Sequence, residues 1–325
     1  MINIGIIGGS GYTAGELLRI IQNHPKAQVD FVYSTTNAGK PITNVHQDWF
    51  GETDLVFTDT INPEVNVVFL CLGHGQSIDF LSQNTFASHT RIIDLGNDFR
   101  LNNDAVWNEK EFVYGLPELN KDQIKNTHYI ANPGCFATAI QLALLPLAKH
   151  NVLNNDIHVN ATTGSTGAGV KPTATGHHSY RNNNMSHYKA FSHQHIGEIT
   201  ESLQQVQANY ANDLLFIPNR GDFTRGIFAT LYTKVDADLD TIVAWYKDFY
   251  KNEPFTHVTT DAIHLKQVVQ TNKCIISLEK HGDKLLITSI IDNLIKGASG
   301  QAVQNMNLMF GLDETKGLKL KSGNF

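Results

Sequence analysis

The sequence predicts an α/β protein of two domains, the first built on a parallel sheet and the second α+β. Three observations carry that reading. Ile2–Ile7 is a near-continuous apolar run, as a strand buried on both faces requires, and it opens directly into a glycine turn and a helical pattern over 16–21. Further apolar strand-like runs, 65–72 and 91–96, follow at the spacing of βα units. The second half changes texture: 214–217, 226–232, 262–269, 274–280 and 284–291 alternate or carry β-branched residues around one amphipathic helix, 239–250. A chain of 325 residues has length for about two domains.

Composition narrows the class. With 41% hydrophobic and 17% charged residues the chain can bury a core. A net charge of −6 without clustering argues against a nucleic-acid partner, which needs a basic face. No apolar run approaches the ~20 residues of a membrane helix. The N-terminus lacks a basic leader and goes straight into a strand. Cys71, Cys135 and Cys274 are odd in number and widely spaced, which fits a reducing cytoplasm and neither a disulfide framework nor a CxxC metal pair.

The first glycine turn carries chemistry. Gly8, Gly11 and Ala14 match a GxxGxxA dinucleotide fingerprint between strand and helix, where small residues let a pyrophosphate approach the helix N-terminus. The competing reading is an ordinary tight βα turn. The second strand, 28–33, ends in Ser34-Thr35-Thr36. The Asp or Glu that holds an NAD ribose is missing, and hydroxyls with nearby Lys40 suit a 2′-phosphate, so NADP(H) is the expected cofactor. Gly73 and His74 close the strand at 65–72 as a wall of the cofactor site or as plain turn residues. Arg100, on the loop after 91–96, is an anion contact or a surface arginine. Residues 113–119 read as a loop.

Asn132-Pro133-Gly134-Cys135 lies between a short β-like run, 128–131, and a long apolar helix, 140–148. Cys135 therefore falls at the first helical turn, where unpaired N–H groups and the dipole favour a thiolate nucleophile. The bland alternative is a small buried hydrophobe. Cys71 and Cys274 lack that environment. Downstream, 164–172 is a glycine and hydroxyl loop of the kind that closes on ligands. His193-Gln194-His195 then opens a helix that includes Glu198. Two His two apart do not share a helical face, and no metal site is expected. One His as general acid/base, oriented by Glu198, is preferred. Arg220 and Arg225 precede a strand, where a guanidinium fork can hold phosphate or carboxylate.

Taken together, the residues resemble the N-acyl-γ-glutamyl-phosphate reductases of arginine biosynthesis, relatives of aspartate-semialdehyde dehydrogenase. The matching pieces, in order, include Gly8-Gly9-Ser10-Gly11-Tyr12-Thr13, Asp94-Leu95-Gly96-Asn97-Asp98-Phe99-Arg100, Gly115-Leu116-Pro117-Glu118, Asn132-Pro133-Gly134-Cys135, Gly164-Ser165-Thr166-Gly167, His193-Gln194-His195, Thr224-Arg225-Gly226 and Asp292-Asn293-Leu294. The resemblance implies an N-terminal Rossmann-type NADP domain, 1–134, completed by a C-terminal helix over 301–325. It implies an α+β catalytic and oligomerisation domain over 135–300, in a homo-oligomer, dimer or tetramer. It makes Cys135 the nucleophile, His195 the acid/base and Glu198 its partner. It places Gly8, Ser10, Gly11, Tyr12, Thr13, Ser34, Gly73, His74, Asn293 and Gly297 around NADP(H). With the residue reading it leaves Arg100, Arg181 and Arg225 for an acyl-phosphate substrate.

Several positions depart from the family pattern: Thr35 and Thr36 after Ser34, Gly73, Phe136-Ala137, Gln194, and the loop with Asn182-Asn183-Asn184. By the resemblance, these changes flank the place where the acyl end of the substrate is expected. An N-succinyl group therefore competes with N-acetyl, since the loop supplies His, Asn and Arg181 for a further carboxylate. The remaining rivals are aspartate-semialdehyde dehydrogenase, with the same chemistry on a shorter substrate, and a non-catalytic NADP-binding regulator.

Overall fold

The computed structural model describes residues 1–73 and 75–323. The chain forms two compact units: Met1–Pro133 with Ala298–Lys319, and Gly134–Gly297 with the tail from Leu320.

The first unit is a wholly parallel sheet. Its strands are β1 (Ile2–Ile7), β2 (Ala27–Tyr33), β3 (Phe57–Thr58), β4 (Val67–Leu70), β5 (Arg91–Asp94), β8 (Val113–Tyr114) and β9 (Tyr129–Ala131), in the order β3-β2-β1-β4-β5-β9-β8. A two-stranded ribbon, β6 (Val106–Trp107) with β7 (Lys110–Glu111), stands apart. Helices α1 (Tyr12–Gln22), α2 (Gln76–Gln83) and α3 (Pro117–Asn126) cross between strands. β1 and β4 are buried almost throughout, which explains their unbroken apolar text. Because β1 lies between β2 and β4, the strand order reverses at β1, the place where open α/β sheets bind nucleotides.

The second unit is a mixed sheet covered by helices. Its strands are β10 (Ile157–Thr163), β11 (Ser186–His187), β12 (Leu214–Arg220), β13 (Ile227–Lys234), β14 (Thr256–Thr259), β15 (Cys274–His281) and β16 (Lys284–Ile291), in the order β11-β12-β10-β13-β16-β15-β14. Helix α4 (Cys135–Lys149) packs on β13, β15 and β16 and against α6 (His195–Val206) and α7 (Leu239–Tyr250); α5 (His178–Arg181) is one turn. α4 is buried from Phe136 to Ala148, so its apolar run has no polar face. Pro146 removes one helical donor inside it. The Tyr250 hydroxyl donates instead to Leu142 O, the carbonyl four residues before the proline. The sheet's other face is part-exposed. There His158 stacks on Tyr232 at 4.6 Å, with Leu215, Ile217 and Phe228 half-buried nearby in the register.

Three sequence expectations need correction. Residues 113–119 are not simply a loop: Pro117 begins α3, a position where proline loses nothing. Residues 262–269 form no strand; a short 3-10 turn, Leu265–Gln267, sits there, and the edge strand is β14. The helix expected over 301–325 is α8 (Gly300–Met309). It stops at Phe310 because Gly311 turns to φ +66°, and the chain beyond is irregular.

Candidate active site

In the first unit, the end of β1 forms a cradle. Gly8 has φ +79°, and a Cβ there would lie 2.4 Å from Cys71 O, so only glycine fits. Helix α1 starts from Gly11 with no side-chain cap, leaving its first N–H groups available to an anion. Tyr12, exposed, and Thr13 open α1, and Thr13 O accepts from Ser299 Oγ at 2.8 Å. The Ser10 and Ser34 hydroxyls are 2.8 Å apart, and Asn37 Nδ2 donates to Ser10 Oγ at 3.0 Å. No carboxylate stands in the Ser34–Asn37 turn. A dinucleotide fits this donor set. Sequence reasoning missed His46, which is buried and pairs with Gly9 O at 2.7 Å; it lies 37 residues from its partner and carries no local signal.

Beyond β4 the picture differs. Gly73 is an exposed turn residue, and His74 lies outside the described residues. Asp98 caps α2, accepting from Gly75 N at 2.6 Å and Ser77 N at 2.9 Å. Asp94 is fully buried at the end of β5; its Oδ1 accepts from Ser77 Oγ at 2.6 Å and Gly96 N at 3.0 Å, while Oδ2 has no hydrogen-bond partner among the described residues. Burial pushes its carboxyl up to about 6, against the opposing pull of those hydrogen bonds and of Arg100. Burial also pushes the Cys71 thiol up to about 12, which keeps it protonated and a poor nucleophile.

The second unit holds the thiol. Cys135 is the first residue of α4 and is half-buried. The preceding Gly134 is the bed of the site: a Cβ there would stand 2.4 Å from His195 Nε2 and 2.7 Å from His195 Cδ2, so the imidazole lies directly on the Gly134 backbone. Gly134 N donates to Glu198 Oε2 at 2.9 Å, and Glu198 Oε1 is 3.9 Å from His195 Nε2. His195 and Glu198 are 6% and 3% exposed, so this pair interacts with little solvent screening. Both are on the first turn of α6, where i and i+3 share a face. Gln141 Nε2, nearly two turns further along α4, donates to Glu198 O and ties α6 to α4. His193 Nδ1 accepts from His195 N at 3.2 Å, and the two rings are 4.6 Å apart. Gly297 completes the bed: a Cβ there would be 2.7 Å from Cys135 Cβ. Among the described residues no group of three His, Cys, Asp or Glu is placed to hold a metal.

The other residues singled out in sequence have different surroundings. Arg100, buried, donates to Asn132 O at 2.8 Å and Leu95 O at 3.0 Å. Arg181, also buried, donates to Arg220 O at 2.9 Å and Thr175 O at 3.1 Å. Arg225 forms a two-pronged ion pair with buried Asp292, at 3.1 and 3.2 Å. All three guanidinium groups therefore hold this chain's own backbone or carboxylate. Asn293, expected at the cofactor, accepts from Gly226 N and donates to Thr166 Oγ1 within the second unit. Gly297, also expected at the cofactor, lies against Cys135.

Comparison with known proteins assigns the chain. Residues 3–127 match the semialdehyde dehydrogenase NAD binding domain, and 135–293 match the semialdehyde dehydrogenase dimerisation domain. An N-acetyl-gamma-glutamyl-phosphate reductase of Flavobacterium johnsoniae is 72% identical over 325 residues, covering all of both chains. Proteins of that name from Christiangramia forsetii and Bacteroides fragilis are 58% and 56% identical, again over the full length of both. The chain belongs to the N-acetyl-gamma-glutamyl-phosphate reductase family. It is an oxidoreductase with a nicotinamide-cofactor domain. A solved aspartate semialdehyde dehydrogenase II from Vibrio cholerae aligns over 96% of this chain and 98% of its own with a TM-score of 0.73; at 16% identity the likeness is one of fold. No helix among the described residues is long and apolar enough to cross a membrane.

Proposed function

We propose that this family member reduces N-acetyl-gamma-glutamyl phosphate to N-acetylglutamate 5-semialdehyde and phosphate, with NADPH as reductant and Cys135 as covalent nucleophile. The observation that carries the reading is the Gly134 bed, which brings the Cys135 helix start, the His195 ring and the Glu198 carboxylate to one backbone position. Gly8, Ser10, Gly11, Tyr12, Thr13 and Ser34 are the residues that would hold the dinucleotide. The Ser10, Ser34 and Asn37 cluster, free of carboxylate, supports the phosphorylated form.

Cys135 attacks the acyl phosphate as thiolate, the carbon–sulfur bond forms, and phosphate leaves with the electrons of the carbon–oxygen bond. Exposure to the first α4 turn favours the thiolate. When bound, the dihydronicotinamide supplies the hydride that reduces the thioester carbonyl. The His195 imidazole gives a proton to the hemithioacetal oxygen, and Glu198, near Nε2, stabilises the ring while it is charged. As the carbon–oxygen double bond re-forms, His195 takes that proton back, Cys135 departs as thiolate with the electrons of the carbon–sulfur bond, and the aldehyde is released. His195 is preferred as proton carrier because it lies on Gly134, next to Cys135, with Glu198 Oε1 3.9 Å from its Nε2.

The dimerisation-domain match supports a homo-oligomer, and the half-exposed outer face of the second sheet is its proposed contact. The three free cysteines fit a cytoplasmic setting. The deciding assay is phosphate-dependent NADP reduction with N-acetylglutamate semialdehyde. Cys135→Ser is expected to abolish turnover and to retain NADP binding by fluorescence titration; turnover near wild type would sink the covalent scheme.

A further inference from the structure

Of the arginines around the second unit's site, one is differently placed. Arg220, at the end of β12, is half-buried and lies over the Tyr188 ring at 4.5 Å. Its Nη1 donates to Thr175 Oγ1 at 3.1 Å. Among the described residues no carboxylate pairs with it, whereas Arg225 has Asp292 and Arg181 is committed to Arg220 O and Thr175 O. A half-buried guanidinium with neutral partners alone retains most of its charge for an incoming anion.

Its place relative to the thiol follows from ring contacts. Tyr188 meets His193 edge-on at 5.7 Å, His193 meets His195 at 4.6 Å, and His195 lies on Gly134, next to Cys135. Tyr188 also senses both ends: burial and then the Cys135 sulfur push its phenol up to about 12, and Arg220 pulls the other way. On the far side, Thr175 belongs to the loop whose Pro172, Thr173, Ala174, His177, Ser179 and Tyr180 line an open groove of about 570 Å³. Arg181 fixes the geometry by clamping the backbone of both Thr175 and Arg220. The guanidinium is thus linked through Tyr188 and the two histidines to the neighbours of the nucleophile, and through Thr175 to the loop that lines the groove.

We propose that Arg220 is the specificity-determining residue of the substrate site, receiving a carboxylate of the acylated substrate. This rests on the acyl-phosphate reductase reading. Two carboxylates qualify: the α-carboxylate of the glutamyl part, and a terminal carboxylate on a longer acyl group such as succinyl. Both make the same forked contact.

The test measures wild type, Arg220→Gln and Arg220→Lys with N-acetyl- and N-succinylglutamate semialdehyde, NADP and phosphate. Wild-type activity on neither substrate would dispose of the reductase reading itself. With an active wild type, Gln is expected to raise KM for the semialdehyde roughly 10- to 100-fold, the loss of a charged hydrogen bond, with kcat changed far less. An increase for both substrates names the α-carboxylate; an increase for the succinyl substrate alone names the acyl end. Lys is expected to recover part of the loss and carries the same readout if Gln lowers the melting temperature. An increase in KM for phosphate alone, or no change in any KM, overturns the proposal.

Discussion

Gly134→Ala isolates the imidazole's position from its chemistry. Gly134 has φ −69° and ψ 151°, a backbone conformation any residue adopts, so the substitution meets no backbone strain. The obstacle is contact alone. A Cβ would stand 2.4 Å from His195 Nε2 and 2.6 Å from Cε1, and ordinary contact begins near 3.4 Å, so the ring must recede by about 1 Å. A displacement of that size costs about 100-fold in rate, or about 2.7 kcal/mol of transition-state stabilisation. Overpacking destabilises by roughly 1–3 kcal/mol, offset in part by the roughly 0.4–1 kcal/mol that alanine gains through the unfolded chain. The variant is therefore expected to fold, to keep reacting with iodoacetamide at Cys135, and to lose about two orders of magnitude in turnover. Gly297→Ala is the contrast. Its Cβ would press on Cys135 Cβ at 2.7 Å, so alkylation slows together with turnover. A Gly134→Ala enzyme within threefold of wild-type kcat/KM would refute the assignment of His195, because a catalytic ring tolerates no such shift.

Two further outcomes follow from the buried carboxylates. Asp94, with its carboxyl raised to about 6 from an ordinary 3.8, holds its proton more tightly folded than unfolded. Its burial as an anion therefore lowers stability progressively as pH rises from about 4 to about 6. Asp94→Asn keeps an oxygen for Ser77 and Gly96 and removes the charge. The stability gap, variant minus wild type, should widen by roughly 2 kcal/mol between pH 4 and pH 7 in calorimetry; a gap flat across that range excludes a buried charge. Asp292 is fully buried and accepts from Arg225, Gln270 N, Leu294 N and Ile295 N. Asp292→Ala strands those donors and should cost roughly 3–5 kcal/mol, lowering the melting temperature by on the order of 10 °C. A melting temperature within about 2 °C of wild type contradicts that role.

What the sequence disclosed, and what it hid, divides along one line. Periodicity marked Leu239–Tyr250 to the residue, because one face of the helix lies on the core, and β-branched content marked Lys284–Ile291, a strand buried almost throughout. α3 escaped because its sequence, PELNKDQIKN, has little apolar period and only Ile124 among its larger apolar residues is buried. Residues 262–269 misled through β-branched content that pairs with nothing, while β14 gains its order by lying parallel to β15. The site divides likewise. Cys135 at a helix start and the three-residue step from His195 to Glu198 are local, so they stand in the text. The arginines do not, since a guanidinium's role is decided by its partner: Arg225 finds Asp292 at a separation of 67 residues and Arg100 finds Asn132 O at 32. The resemblance singled out Arg225, five positions away with the same side chain, rather than Arg220. Only the fold shows that one is neutralised by a buried carboxylate and the other stacks on a tyrosine with no carboxylate beside it among the described residues. A motif therefore names the chemistry, but which positive charge remains available to a substrate is a property of tertiary pairing.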